Sequence, residues 1–247
     1  MHGEPTNPAP AADAATLEAV LRFLAGPRGP AAAPPGRPGG AQPVRGDRAA
    51  GTLTDAYGRR VLWVPEAFPA ELAAGLAERL GPEAAAAALY GAGYRWALGE
   101  LPTFVLRVEA EFGAPLAELH IARVLESWWW PLRAGGWGRW RYDLGHPDRG
   151  AIFIDLPDSP AAGPPGGPGC HFQAGAFAAL FAALAGRELA CAEIACRRAG
   201  AAQCRFVVAS PRRARDAAAW RDQGAAADEI LRRITPPGPG ANGKSSP

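Results

Sequence analysis

The sequence lacks most of what would assign it quickly. No apolar run approaches the roughly 20 residues needed to span a bilayer, and Met1–Ala12 has no apolar signal core. A cytoplasmic, reducing setting is therefore expected, one in which disulfides are disfavoured. Acids and bases nearly cancel across the 247 residues, with 26 Lys+Arg against 24 Asp+Glu and a net charge of +2. That leaves no basic surplus for nucleic acid. There is no GxGxxG after a strand, no GxxxxGK[ST], no GxSxG and no HExxH, so dinucleotide, P-loop, serine-hydrolase and zinc-protease chemistries have no support. The Gly-rich stretch Gly163–Gly169 precedes a helix, but its prolines and lack of a lysine make it a plain loop. No helix-turn-helix or ATPase module is evident.

What is present points to one folded domain. Met1–Ala12, Pro27–Ala50 and Pro236–Pro247 are rich in Pro, Gly and Ala and have little to bury. The expected organisation is a largely disordered 1–50, a single domain over 51–235 and a disordered tail over 236–247. Within the first segment, Asp13–Ala25 carries Leu17, Val20, Leu21 and Leu24 on one helical face, tethered by the Pro-rich linker. Thr52–Val64 reads as a hairpin and Pro69–Leu80 as a helix. Glu83–Phe112 reads as one or two helices interrupted near Leu101-Pro102. Pro115–Trp130 is a helix that Pro131 should stop. Gly138–Leu144 and Ala151–Leu156 form a second hairpin, and Pro211–Arg233 has helical propensity. The fold class is mixed α/β (α+β), with antiparallel hairpins packed on helices.

The most informative pattern is C-x22-E-x2-C-x7-C, made by Cys170, Glu193, Cys196 and Cys204. Three thiolates and a carboxylate suit one tetrahedral, structural zinc with no open position for chemistry. Cys170 opens a helix ending at Gly186, where the positive end of the dipole favours the thiolate. Glu188–Ala195 and Arg205–Ala209 read as strands whose loop brings Cys196 and Cys204 together. Glu193 and Cys196 have opposite strand parity, so they converge only if the strand ends or bulges near Ala195. Cys191 shares the Glu193 face and is an alternative ligand or a small buried hydrophobe. Two other readings stand beside the metal: four inert buried thiols, or a disulfide pair.

Aromatic residues concentrate at Tyr90, Tyr94, Trp96, Trp128–Trp130, Trp137 and Trp140, a composition that suits an apolar ligand pocket or ordinary core. Three consecutive tryptophans on a helix cannot all face inward. A pocket for a small apolar or aromatic ligand is expected between the Pro115–Trp130 helix and the 138–156 strand pair, near Trp137 and Trp140. The Arg197–Arg215 stretch reads as a solvated face, or a dock for an acidic protein partner.

Cys170-His171-Phe172-Gln173-Ala174-Gly175-Ala176-Phe177, Gly186-Arg187-Glu188-Leu189, Glu193-Ile194-Ala195-Cys196-Arg197 and Gln203-Cys204-Arg205-Phe206 together resemble the 4-vinyl reductase domain family, as does the turn Gly136-Trp137-Gly138-Arg139-Trp140. That domain also forms the sensor part of phenol-responsive bacterial activators. The resemblance spans roughly Gly51–Ser210. It implies a ligand-binding fold related to vesicle-tethering transport-particle subunits, usually homodimeric. It also implies a zinc held by three cysteines and a glutamate, which fall on Cys170, Glu193, Cys196 and Cys204. The phenol sensors hold the phenol hydroxyl with a His and a Trp; His120, placed mid-helix ahead of the Trp run, is the candidate here. The function expected is stand-alone small-molecule binding or sensing without turnover. The alternative is a tetrapyrrole carrier or 4-vinyl reductase, for which no nicotinamide or flavin motif is visible.

Overall fold

The computed structural model describes residues 44–55, 59–146, 149–160 and 169–235, together with Glu18 and Arg22. The Asp13–Ala25 helix lies outside the described residues apart from Glu18 and Arg22, which are helical and paired at 3.6 Å. The loop 161–168 and the tail 236–247 lie outside them entirely.

Alternation of apolar and polar residues builds the central sheet. Strands β4 (Arg141–Asp143), β5 (Ile152–Leu156), β6 (Ala190–Ala195) and β7 (Cys204–Ala209) form an antiparallel sheet in the order β4-β5-β7-β6. Ile154, Leu156, Cys191, Cys204, Phe206 and Val208 face one core. Ala151, Phe153, Ala192, Ile194, Val207 and Ala209 face a second. A smaller antiparallel sheet precedes it: β1 (Val44–Asp47), β2 (Thr52–Asp55) and β3 (Arg60–Val61). Strand β1 pairs with β2 upstream of the domain start expected at residue 51.

Six helices clothe this frame among the described residues: α1 (Ala67–Leu80), α2 (Pro82–Phe112), α3 (Ile121–Ala134), α4 (His171–Ala185), α5 (Pro211–Asp222) and α6 (Ala227–Ile234). None is long and apolar enough to cross a membrane. Helix α4 is buried nearly all round, the expected environment for a helix without a polar face. It crosses α2 with the two backbones in contact. A Cβ on Gly93 would sit 1.9 Å from the Phe172 carbonyl oxygen, and one on Gly175 would sit 1.9 Å from that of Tyr90. Only glycine permits this approach. Helices α5 and α6 cover the opposite face of the sheet through Ala214, Ala217, Ile230 and Ile234.

Two prolines behave differently from expectation. Helix α2 runs unbroken through Pro102, and α3 runs through Pro131 to Ala134. A mid-helix proline costs about 3 kcal/mol. Burial of Leu98, Leu101 and Val105 around the first, and of Trp128 and Trp129 before the second, opposes that cost. The start of α3 is also later than expected. Leu116–Glu118 form a 3-10 turn, and His120 is the N-cap residue, its Nδ1 accepting from the Ala122 N–H at 3.3 Å. The arginine stretch is not a solvated face. Arg198 is buried, Arg205 forks onto Asp155 at 2.6 and 3.2 Å and reaches Asp228 at 2.9 Å, and Arg213 donates to the carbonyls of Arg149, Gly150 and Ile234.

Candidate metal centre and aromatic pocket

Local irregularities in β6 and its hairpin assemble the four sequence-distant ligands. Strand β6 pairs with β7 through Cys191↔Val208 and Glu193↔Phe206, then shifts register so that Ala195 opposes Arg205. Ile194 is the inserted residue, and the bulge turns Glu193 and Cys196 toward the same side. This is the break near Ala195 that strand parity requires. The chain then makes a 3-10 turn at Arg197–Ala199 and reverses at Gly200, φ +90°, to deliver Cys204 at the start of β7. Cys170 comes from the opposite direction as the N-cap of α4.

Ligand atoms of Cys170, Glu193, Cys196 and Cys204 all lie within 4.8 Å of one another. The group is a buried Cys3Glu set able to hold a metal. Three observations test the fit. The Cys170–Cys204 and Cys204–Cys196 sulfur separations are 3.5 and 4.0 Å, bracketing the roughly 3.8 Å edge of a tetrahedron with metal–sulfur bonds of about 2.3 Å. Glu193 Oε2 accepts from the Cys170 backbone N–H at 3.0 Å, whereas its buried Oε1 has no partner among the described residues. The sulfurs are also oriented from outside. The Arg197 N–H donates to Cys204 Sγ at 3.5 Å, and Ser159 Oγ lies 3.1 Å from Cys170 Sγ, the kind of outer contact that fixes metal ligands. Gly169 belongs to the same design: a Cβ there would come within 2.5 Å of Glu193 Oε2. Beneath the hairpin, the Arg221 side chain donates to the Glu193 carbonyl at 2.6 Å.

Crowding shapes the acidity of the set. Hydrogen bonds from Cys170 and then Cys204 draw the Cys196 thiol far down, whereas the bond to Cys196 pushes Cys170 up. Burial, reinforced by the Cys196 charge, lifts Glu193 to about 8. Without a cation the cluster holds its protons, and a bound metal would displace them. Cys191 stays outside, its thiol raised by burial and its N–H donating to Tyr90 Oη at 3.2 Å.

A second cluster lies between α3, β4 and α4. Trp140 and Tyr142 alternate onto one face of the sheet, and Phe177 and Phe181 lie one turn apart on α4. Trp129 stacks on Trp140, Trp140 meets Phe177 edge-on at 4.3 Å, and Tyr142 meets Phe181 at 6.1 Å. Within this cage the buried Trp129 Nε1, Trp140 Nε1 and Tyr142 Oη have no partner among the described residues. Nor has Gln173 Oε1, one turn before Phe177. Burial, then the Glu126 charge, pushes the Tyr142 hydroxyl well above its ordinary range, so it stays a neutral donor.

Of the residues expected to bind ligand, Trp140 belongs to this cage. Trp137 does not; it lines a separate outer groove of about 1670 Å³, bounded by the small sheet, α2 and the end of α3. There it packs beside Trp96 and Phe172. His120 is exposed at the α3 N-terminus and lines neither place. Trp129, Tyr142, Phe177 and Phe181 complete the cage beyond the residues expected to line it. Period-two spacing of Trp140 and Tyr142 and i,i+4 spacing of the two phenylalanines carry that signal in the sequence.

Residues 156–210 match the family model of the 4-vinyl reductase domain. The family resemblance holds over that segment. The matched span contains all four members of the Cys3Glu set. A solved structure is similar along most of the chain: the phenol-responsive sensory domain of the transcription activator PoxR, with phenol. It superposes with a TM-score of 0.53 at 19% identity, covering 83% of this chain and 96% of that one. At that identity the likeness establishes the shared fold. No curated protein matches the chain.

Proposed function

We propose that this protein binds a small, single-ring aromatic ligand reversibly in the α3–β4–α4 cage, and that Cys170, Glu193, Cys196 and Cys204 hold a structural zinc. The observation that carries the binding reading is the set of unpaired polar atoms inside an apolar aromatic enclosure. Leaving a buried polar group unpaired costs about 1–3 kcal/mol, and native cores rarely leave several together. A ligand with one polar head would satisfy them while its ring fills aromatic contacts. The phenol bound by the similar sensory domain has that chemistry. A tetrapyrrole, the alternative from the family resemblance, is too large for the cage and would have to use the outer groove.

Zinc at the Cys3Glu set would supply cross-linking: it would tie the start of α4, the β6 bulge and the start of β7 into one unit, with four protein ligands and no open position. The paired helix α4 then presents Phe177 and Phe181 to the cage from an anchored end. A homodimer through Trp128–Trp130 loses support, because Trp128 and Trp129 are buried in the chain's own core. The exposed stripe Phe68, Leu72 and Leu80 on α1 is a better self-association surface, and we place the dimer contact there.

The test is intrinsic fluorescence titration with phenol and related single-ring aromatics. Saturable quenching that is lost in Trp140→Phe and retained in Trp137→Phe supports the cage. Quenching that depends on Trp137 alone moves the site to the outer groove and overturns it.

A further inference from the structure

The outer groove presents an unusual surface. Leu62 and Trp63 are 81% and 87% exposed beside it, and Trp96, Phe104, Trp128 and Trp137 line its interior. These residues form one contiguous apolar region, whereas scattered exposed hydrophobes need no explanation. Residues 62–65 follow β3 in neither strand nor helix, so the most exposed tryptophan sits on a segment with no regular hydrogen bonding of its own. The cationic side is also open: Arg60, Arg139 and Arg197 line the groove and are exposed.

We propose that the chain's own residues 13–25 occupy this groove as an amphipathic helix. Leu17, Val20, Leu21 and Leu24 form a single apolar stripe, and a helix this short is not stable alone in water. Glu18 and Arg22 are helical and paired across one turn, both facing solvent, which leaves the leucine stripe as the inward face. Thirteen residues make a helix about 20 Å long and roughly 10 Å across, a cylinder of about 1,600 Å³ and so comparable with the groove. The attachment point decides between this occupant and others. Val44, where the described body begins, is itself a wall residue of the groove. The linker 26–43 has a typical span of about 24 Å if flexible and up to about 60 Å if extended. Either value reaches the groove, at an effective concentration in the millimolar range, well above that of a second chain at micromolar concentration. Asp13 and Glu18 give the segment a net negative charge against Arg22, which complements the three exposed arginines. Docked there, the segment covers Trp137, and it covers Arg197, the residue after the ligand Cys196.

Hydrogen–deuterium exchange of the full chain tests the proposal, with Leu17→Asp/Leu21→Asp as the comparison. Both substitutions lie outside the folded body, so the body stays intact as a control. The expected result is slow exchange at 13–25 and at the amides of Leu62, Trp63 and Val64, next to fast exchange at 28–42. In the variant both regions should exchange at least tenfold faster while α4 is unchanged. Exchange of 13–25 at the linker rate in the unmodified chain overturns the proposal. So does protection at 62–64 that the variant leaves untouched. Protection that disappears on dilution through the micromolar range assigns the groove to a second copy's segment and likewise overturns docking within one chain.

Discussion

Replacing Gly175 with alanine should be the most damaging one-methyl change in this protein. The added Cβ would lie 1.9 Å from the Tyr90 carbonyl oxygen and 2.9 Å from the Tyr94 nitrogen. Both are backbone atoms of α2, so no side chain can swing away. Ordinary contact requires the two helices to separate by about 1.5 Å, and the gap would spread along Tyr94, Ala97 and Leu98 opposite Ala174, Ala178 and Phe181 in the main core. Overpacking in a core costs about 1–3 kcal/mol when side chains can adjust; with a rigid crossing the cost should reach about 4 kcal/mol. For a domain of this size each kcal/mol lowers Tm by about 2–4 °C, so a fall of about 8–16 °C is expected in a calorimetric or circular-dichroism melt. Gly99→Ala is the control on the same helix. Nothing lies within 4 Å of its Cβ position, and removing a mid-helix glycine should stabilise by about 0.5–1 kcal/mol. If Gly175→Ala melted within about 2 °C of the unmodified chain, less than the shift expected from 1 kcal/mol, the backbone-contact crossing would be wrong.

Purified under reducing conditions, the protein should carry about one zinc per chain by elemental analysis. Cys196→Ser or Cys204→Ser should remove it and lower Tm sharply, whereas Cys191→Ser should cost little. Chelation of the unmodified chain should reproduce the ligand-variant melt, because the metal's binding energy is part of the folding energy. Arg205→Ala should destabilise by about 1–2 kcal/mol, since it releases a two-pronged contact to Asp155 and a contact to Asp228; urea melts at low and high salt should show the loss shrinking with salt. Phe68→Glu/Leu72→Glu should convert a dimer to a monomer by light scattering without changing Tm by more than a few degrees, and a dimer mass in that variant would reject the α1 interface.

Ligand spacing and periodicity make the metal unit legible in the sequence. Cys170 at a helix start, the hairpin from Cys196 to Cys204 and the need for a break between Glu193 and Cys196 all follow from backbone geometry, and the β6 bulge satisfies that need. The central strand pairs and the long helices are legible for the same reason: their periods of two and 3.6 are local. Helix ends are not, because Pro102 and Pro131 are tolerated only through burial that depends on distant chain segments. His120 illustrates the same limit. A histidine ahead of a tryptophan run resembles a pocket residue in sequence, yet a 3-10 turn two residues earlier makes it a helix cap. The cage is only half visible, since Trp140 and Tyr142 meet Phe177 and Phe181 across an α/β contact that no local pattern encodes. The arginine run misleads because its carbonyl partners, Arg149, Gly150 and Ile234, are remote in sequence.

The indole N–H resonances test the central claim most directly. The eight tryptophans should give eight such signals, assignable by single Trp→Phe substitutions in a ¹⁵N-labelled chain. On saturation with a single-ring aromatic carrying a hydroxyl or carbonyl, the Nε1–H signals of Trp129 and Trp140 should shift strongly downfield, as unpaired donors acquire an acceptor, while those of Trp63 and Trp220 stay put. Shifts confined to Trp96 and Trp137, or no saturable shift with any ligand of that class, would contradict an aromatic-binding cage between α3, β4 and α4.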